Sequence, residues 1–113
     1  PTQIYFIEMA TGQIIQATEG PDLGSAFLAN KSNRMFISRK EKEDWNMYVM
    51  DLDKFFADVK KGKVGKPTAY ETLLGTFPTS MGRPGGYAID CNDDYAYITA
   101  WRKMHSYRKV ISR

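Results

Sequence analysis

The 113-residue sequence contains one cysteine, one histidine and no long apolar run. Cys91 alone cannot form an intramolecular disulfide, and a metal site built from several thiolates is excluded. A membrane-spanning helix needs about 20 consecutive, mostly apolar residues, and no such run occurs. No basic segment followed by an apolar one opens the sequence, so no secretory signal is visible and the compartment stays open.

Acidic residues are absent from residues 100–113, which contain five of the 16 Lys and Arg residues. The preceding residues contain 13 Asp and Glu against 11 Lys and Arg, so they carry a slight negative charge. A basic stretch interleaved with Trp101 and Tyr107 could contact phosphates and stack on bases. The alternative is a strand whose outward side chains are basic, or one that meets an acidic partner.

What the chain does have is a series of short β-rich segments separated by Gly, Pro, Asn and Asp. Strand formers on both sides of turn residues predict one hairpin around Gly12 and a second around residues 31–33. The break EGPDLG separates these two hairpins, and PTSMGRPGG is a later break. Further strands are predicted from the segments WNMYVMDL, ETLLGTF, YAIDC, YAYITAW and YRKVIS.

One segment, DLDKFFADVKKGKV, changes to a helical period. Its apolar residues Phe55, Phe56 and Val59 share one face of a helix. Asp51 or Asp53 can cap the start of the helix, and the glycine at position 62 can end it after two or three turns. We therefore expect a short helix followed by a basic loop within residues 52–70.

The strand-rich parts of the chain repeat at an offset of 61 residues. The matched pairs are Gly24/Gly85, Leu28/Ile89, Phe36/Tyr97, Ile37/Ile98, Ser38/Thr99, Val49/Val110 and Met50/Ile111. Repeats of four antiparallel strands form the blades of a β-propeller, whose usual period is about 40–50 residues. The helix and loop inserted at residues 52–70 account for the longer period here. The alternative is a chance self-match within a β-rich chain.

The segment GRPGGYAIDCNDDYAYITAW resembles the blade opening of YVTN-type and quinoprotein-amine-dehydrogenase-like propellers. It has their Gly/Pro break, apolar strand, Asn/Asp turn and aromatic–aliphatic strand ending in threonine. YFIEMATGQIIQAT resembles their outer hairpin, in which a Thr-Gly turn joins the third strand to the fourth. The resemblance implies an all-β fold of antiparallel four-stranded blades with one short helical insertion, and a periplasmic or extracellular location. It does not extend to a catalytic motif.

Interpreted in this way, the chain is one propeller segment that forms an incomplete ring. Residues 1–19 are the outer hairpin of a preceding blade, 20–78 a blade with an insertion at 52–70, and 79–113 the first three strands of the next blade. These nine strands are not a multiple of four, so identical copies do not close neatly. We expect a complementary chain or chains to supply the remaining blades, or a longer precursor to have been cut. Pro1 fits an internal cut or the loss of an initiator methionine.

The resemblance places ligands at loops that join the fourth strand to the next first strand, and the second strand to the third. Here those loops are EGPDLG, PTSMGRPGG, RKEKEDW and WRKMHSY. Cationic, aromatic and imidazole side chains in or beside them are candidate ligand-binding residues: Arg83, Trp101, Arg102, Lys103 and His105. The cations could bind an anion, the indole could wall a pocket, and the imidazole could act as a ligand or general base. The alternative for each is a solvated loop residue.

The sequence favours a segment of a larger β-propeller that serves as a rigid platform for ligands or partners, whether or not the assembly is an enzyme. The second hypothesis is a small β-rich protein that binds nucleic acid or an acidic partner through its basic C-terminal strand. A stand-alone hydrolase or lactonase is weaker, because no nucleophile–base pair is visible. A tautomerase using Pro1 needs a long helix after the first strand, where a hairpin is predicted instead. No substrate, cofactor or metal is identified.

Overall fold

The fold is that of a computed structural model, which describes residues 2–21, 23–29, 31–78, 80, 83–84, 95–102 and 105–112, with side chains described as far as residue 80. Within these ranges the chain is mostly β, with antiparallel sheets and one α-helix. The elements are β1 (Tyr5–Ile7), β2 (Ile14–Gln16), β3 (Leu23–Leu28), β4 (Arg34–Glu41), β5 (Asp44–Asp51), α1 (Leu52–Lys61), a short 3-10 helix (Pro67–Tyr70), β6 (Glu71–Pro78), β7 (Arg83–Pro84), β8 (Tyr95–Arg102) and β9 (His105–Ser112).

Strands β3, β4, β5 and β6 form a four-stranded antiparallel sheet in chain order. The hairpin predicted around residues 31–33 is its β3–β4 pair, and the two strands predicted after it are β5 and β6. Five consecutive residues of β4, at positions 35–39, are buried. Because successive residues of a strand lie on opposite faces, this sheet is covered on both sides where β4 crosses it.

The glycine predicted to lie in a chain break, Gly24, lies inside β3 at a shift of register between Leu23 and Ser25. A Cβ atom at this position would lie 2.3 Å from Cζ3 of Trp45, a ring carbon of the neighbouring indole. Contacts that short do not occur, so the position requires glycine for close packing. The turn of the first hairpin, by contrast, uses Gly12 at a φ of 77°.

Helix α1 begins and ends where the sequence predicts. The Asp51 side chain accepts a hydrogen bond from the backbone N–H of Lys54 at 3.1 Å, and Gly62 closes the helix with a φ of 68°. The helix buries Phe55, whose ring lies 6.1 Å from that of Phe6 in β1. It therefore packs against the same core as the β1–β2 hairpin. That core contains Ala17, Leu23, Met35, Ile37, Met50, Leu52, Phe55 and Tyr70.

The third sheet consists of β7, β8 and β9. The β8–β9 register repeats that of β4–β5 at the offset of 61 residues. At the two ends of the ladder, Tyr95↔Ser112 corresponds to Arg34↔Asp51, and Arg102↔His105 corresponds to Glu41↔Asp44. The two hairpins also have matching bounds at both ends. The repeat in the sequence is thus a repeat of strand pairing.

The inner strands of the two repeats also correspond. The Pro84↔Ala100 pair of β7 and β8 stands 61 residues after the Leu23↔Arg39 pair of β3 and β4. Strand β7 lies in the segment predicted to be a break, whereas the strand predicted at 87–91 lies outside the described residues. β3 and β7 are in contact. The described residues do not form a closed ring, and their arrangement as propeller blades stays a prediction.

Candidate functional site

Four of the five residues predicted to bind a ligand lie at one end of the three-stranded sheet. The register pairs Arg83 with Trp101, and it pairs Arg102 with His105 at the turn between β8 and β9. The two pairs occupy successive positions along β8. Lys103 lies outside the described residues. The described residues of two predicted loops, PTSMGRPGG and WRKMHSY, thus lie at the same end of this sheet. The ligand-binding role of these residues stays a prediction.

The four-stranded sheet contains a buried ion pair that the sequence analysis missed, between Arg39 near one end of β4 and Glu71, which begins β6 at the other end of the sheet. Arg39 donates two hydrogen bonds to Glu71, from Nη1 to Oε1 at 2.7 Å and from Nη2 to Oε2 at 3.0 Å. Both side chains are 3% exposed, and the guanidinium lies 5.2 Å from the ring centre of Tyr48. Burial by itself lowers the pKa of Arg39, but hydrogen bonding to Glu71 and the charge of that carboxylate hold the pKa above its usual value.

A second polar cluster lies beside this ion pair. Glu41 accepts hydrogen bonds from the Tyr48 hydroxyl and from Asn46 Nδ2, and Thr76 donates to Asn46 Oδ1 at 2.8 Å. Burial favours a raised pKa for the Glu41 carboxyl, but these two hydrogen bonds and the charge of Arg39 lower it below its usual value. Burial and the contact with Glu41 raise the pKa of Tyr48. The cluster joins β4, β5 and β6.

Most polar side-chain groups of the two clusters hydrogen-bond within the clusters, which fits a role in holding the strands together. Both terminal nitrogens of Arg39 donate to Glu71. Among the buried side-chain atoms of this ion pair, Arg39 Nε has no hydrogen-bond partner. The alternation of β4 does place Arg39 on the face shared by Met35 and Ile37. That position is the signal in the sequence for a buried cation, although it does not identify the partner.

A polar cavity of about 480 Å³ lies at one end of the four-stranded sheet, between the β3–β4 loop and the start of α1. Asn33 Nδ2 donates to Asp53 Oδ1 at 2.9 Å, and Arg34 Nε donates to Ser32 Oγ at 2.6 Å. Four of the side chains that line the cavity are therefore hydrogen-bonded to one another in pairs. The lining residues are Ser32, Asn33, Arg34, Val49, Asp51, Asp53, Tyr70 and Thr72. This end of the sheet is not the one that carries the predicted ligand loops.

The β1–β2 hairpin exposes apolar side chains on the face that is turned away from the core. Residues opposite each other in an antiparallel pair share a face, and Ile7 pairs with Ile14. These two side chains are 61% and 67% exposed, and Tyr5 beside them is 55% exposed. Phe6 and Ile15 lie on the other face and pack against the core. A hairpin that is apolar on both faces is the most evident interaction surface of the described residues.

An apolar groove of about 390 Å³ runs between this hairpin and α1. It is lined by Phe6, Ile7, Glu8, Ile15, Phe56, Val59 and Lys60. The groove joins the exposed face at Ile7, so the hairpin surface and the groove form one continuous apolar region.

Within the residues that the structure describes, no three His, Cys, Asp or Glu side chains lie where they could hold a metal ion together. None of the helices there has the length and apolar character needed to cross a bilayer. The candidate site therefore consists of the hairpin surface and the end of the three-stranded sheet.

Comparison with known proteins gives no relative from which a site could be transferred. The chain matches no family model, no curated protein and no solved structure. A function for the chain therefore has to be inferred from its strand pairing, burial and charge.

Proposed function

We propose that the chain is a segment of a larger β-propeller in which its sheets form a rigid platform for ligand or partner binding. The shared register of β4–β5 and β8–β9 is the observation that carries the proposal. A chance self-match of β-rich sequence would not require all eight paired residues of one hairpin to recur in another at a single offset. Repeated antiparallel units whose inner strands contact each other are what consecutive blades around a common axis require.

Burial supports the same proposal. The four-stranded sheet buries side chains of both faces at β4, as a blade between two neighbours does. The hairpin, by contrast, covers the core with one face and leaves Tyr5, Ile7 and Ile14 exposed on the other. An exposed apolar sheet face and unpaired strand edges favour association. The hairpin therefore has the surface expected of a blade fragment whose neighbour is supplied by another molecule.

The ligand-binding part of the platform is the end of the three-stranded sheet. There the register pairs Arg83 with Trp101 and Arg102 with His105, at successive positions of β8. An arginine and a tryptophan at paired strand positions suit an anionic ligand with a planar or apolar part. We propose binding at this end of the sheet and no reaction.

Native mass spectrometry of the protein, with the denatured intact mass beside it, tests the platform. We expect a stable assembly larger than the 12.9 kDa chain. Ile14→Lys, on the exposed hairpin face, is expected to reduce the assembled fraction because it buries a charge at the interface. Val64→Lys is the matched control, since Val64 is also exposed, at 41%, but lies in the loop after α1.

A folded monomer would overturn the proposal. If that monomer bound a single-stranded oligonucleotide with an affinity that fell steeply with salt, the result would favour nucleic-acid binding by residues 100–113. Equal effects of the two lysine substitutions would show that the hairpin face is not the interface.

A further inference from the structure

Among the described residues, the β1–β2 hairpin and the three-stranded sheet have open edges that could complete each other. In the four-stranded sheet, β5 is paired with β4 on one side and with β6 on the other. Its equivalent in the repeat, β9, is paired with β8 and has no second strand partner among the described residues. The repeat therefore marks the outer edge of β9 as a position where a further strand belongs.

The hairpin has an open edge on β1. The backbone N–H of Glu8 donates to the carbonyl of Gln13 at 2.9 Å, and that of Ala17 donates to the carbonyl of Ile4 at 2.9 Å. Along an antiparallel strand, residues whose backbone N–H and C=O groups bond to the partner strand alternate with residues whose N–H and C=O groups point away from it. The N–H and C=O groups of Tyr5 and Ile7 therefore point away from β2, and they have no strand partner within the described part of the chain.

The two open edges belong to segments of opposite charge. Residues 1–19, which contain the hairpin, have two glutamates and no lysine or arginine. Residues 100–113, which contain β9, have five lysines and arginines and no acidic residue. Complementary charge favours the pairing of these segments and disfavours the pairing of either segment with itself.

The hairpin packs against the four-stranded sheet, where the proposed platform would have a preceding blade. Ile4, Phe6 and Ile15 pack against the core on one face of the four-stranded sheet. The backbone N–H of Leu23, at the start of β3, donates to the carbonyl of Thr2 at 3.4 Å. A sheet that β1 extended would therefore lie directly against the four-stranded sheet, so the intermolecular interface would continue an interface that the chain makes within itself.

We propose that β1 of one molecule pairs antiparallel with the outer edge of β9 of a second copy of this chain. The hairpin then extends the three-stranded sheet to five strands. This inference rests on the proposed platform function and names its partner as an identical chain. Head-to-tail pairing of this kind forms a ring if the rotation between copies closes.

Proline substitutions can test the two edges of the hairpin independently of each other. Ile7→Pro removes an N–H that points out of the β1 edge, and Ile14→Pro removes one that points out of the β2 edge. The two residues are cross-strand partners on the same exposed face, so the loss of the isoleucine side chain is matched. We expect Ile7→Pro to weaken association about tenfold or more, and Ile14→Pro to weaken it much less.

Hydrogen exchange of the unmodified protein gives a second measurement that does not depend on a variant folding. In the assembly, the amides of Tyr5 and Ile7 are expected to exchange at least about tenfold more slowly than those of Ile14 and Gln16. The two variants and the wild type are compared by native mass spectrometry at the same protein concentration.

The outcomes distinguish this inference from the proposed function. An assembly of identical chains with protected β1 amides and selective loss in Ile7→Pro supports pairing between β1 and β9. An assembly that contains a different chain overturns the inference but leaves the platform proposal standing. Identical chains that assemble with fast exchange at Tyr5 and Ile7 overturn it as well. A folded monomer overturns both.

Discussion

Removal of Glu71 tests whether its ion pair with Arg39 holds β4 and β6 together. In Glu71→Ala, the guanidinium loses a partner that accepts two hydrogen bonds, at 2.7 and 3.0 Å. Both side chains are 3% exposed, so water cannot replace the carboxylate without a change in packing. Breaking such a buried pair from one side costs about 3–5 kcal/mol of unfolding free energy, against about 0–1 kcal/mol for an exposed pair.

Urea unfolding, followed by tryptophan fluorescence at a fixed protein concentration, measures this cost. The set consists of Glu71→Ala, the single variants Glu71→Leu and Arg39→Met, and the double variant that combines Arg39→Met with Glu71→Leu. Each single variant leaves one buried polar group without its partner, whereas the double variant leaves an apolar pair. We therefore expect the double variant to lose much less stability than the sum of the single losses. Glu43→Ala, at an exposed position of the β4–β5 turn, is the control and is expected to change stability by about 0.5 kcal/mol or less.

Two results would refute this reasoning. A loss of less than about 1 kcal/mol in Glu71→Ala would mean that the ion pair behaves as a solvated surface pair. Additive losses in the double variant would mean that Arg39 and Glu71 stabilise the sheet independently of each other.

Two further predictions concern packing and pH. Gly24→Ala places a methyl group against an indole ring and should destabilise the fold by about 1–3 kcal/mol in thermal or urea unfolding. Gly75→Ala is the control and should have little effect, because nothing lies within 4 Å of its Cβ position. Equal effects of the two substitutions would contradict the close packing at β3. Because the pKa of Glu41 is lower in the folded state than its ordinary value of 4.5, its stabilisation is present above that pH and is lost as the pH falls through the lowered pKa. Unfolding measured from pH 7 to pH 3 should therefore show a smaller loss of stability in Glu41→Gln than in the wild type, and equal losses would show that this carboxylate is not involved.

The elements that the sequence predicts well are those whose causes are local. The cap at Asp51, the apolar face around Phe55 and the terminal Gly62 lie within a few turns of one helix. The first hairpin likewise depends on strand formers close to Gly12. Such signals act between neighbours in the chain, so the residue types are sufficient to indicate them. The repeat is also visible, because it relates one part of the sequence to another.

The features that the sequence did not predict depend on contacts between distant residues. Arg39 and Glu71 are separated by 32 positions, and the indole of Trp45 meets Gly24 only because β3 and β5 lie beside β4 in the folded sheet. The alternation of residues in β4 can indicate a cation on the core-facing side of the strand, but many carboxylates are available as its partner. Only the register of the strands selects Glu71.

The sequence by itself determined the helix and most of the strands that the structure describes, the 61-residue repeat and the opposite charges of the two terminal segments. The tertiary structure alone decided that the repeat is one of strand register, that the hairpin turns Ile7 and Ile14 away from the core, and that the edge of β1 stays open. The physical reason is that local propensity acts along the chain, whereas exposure and unpaired backbone groups are defined only when distant segments are packed together.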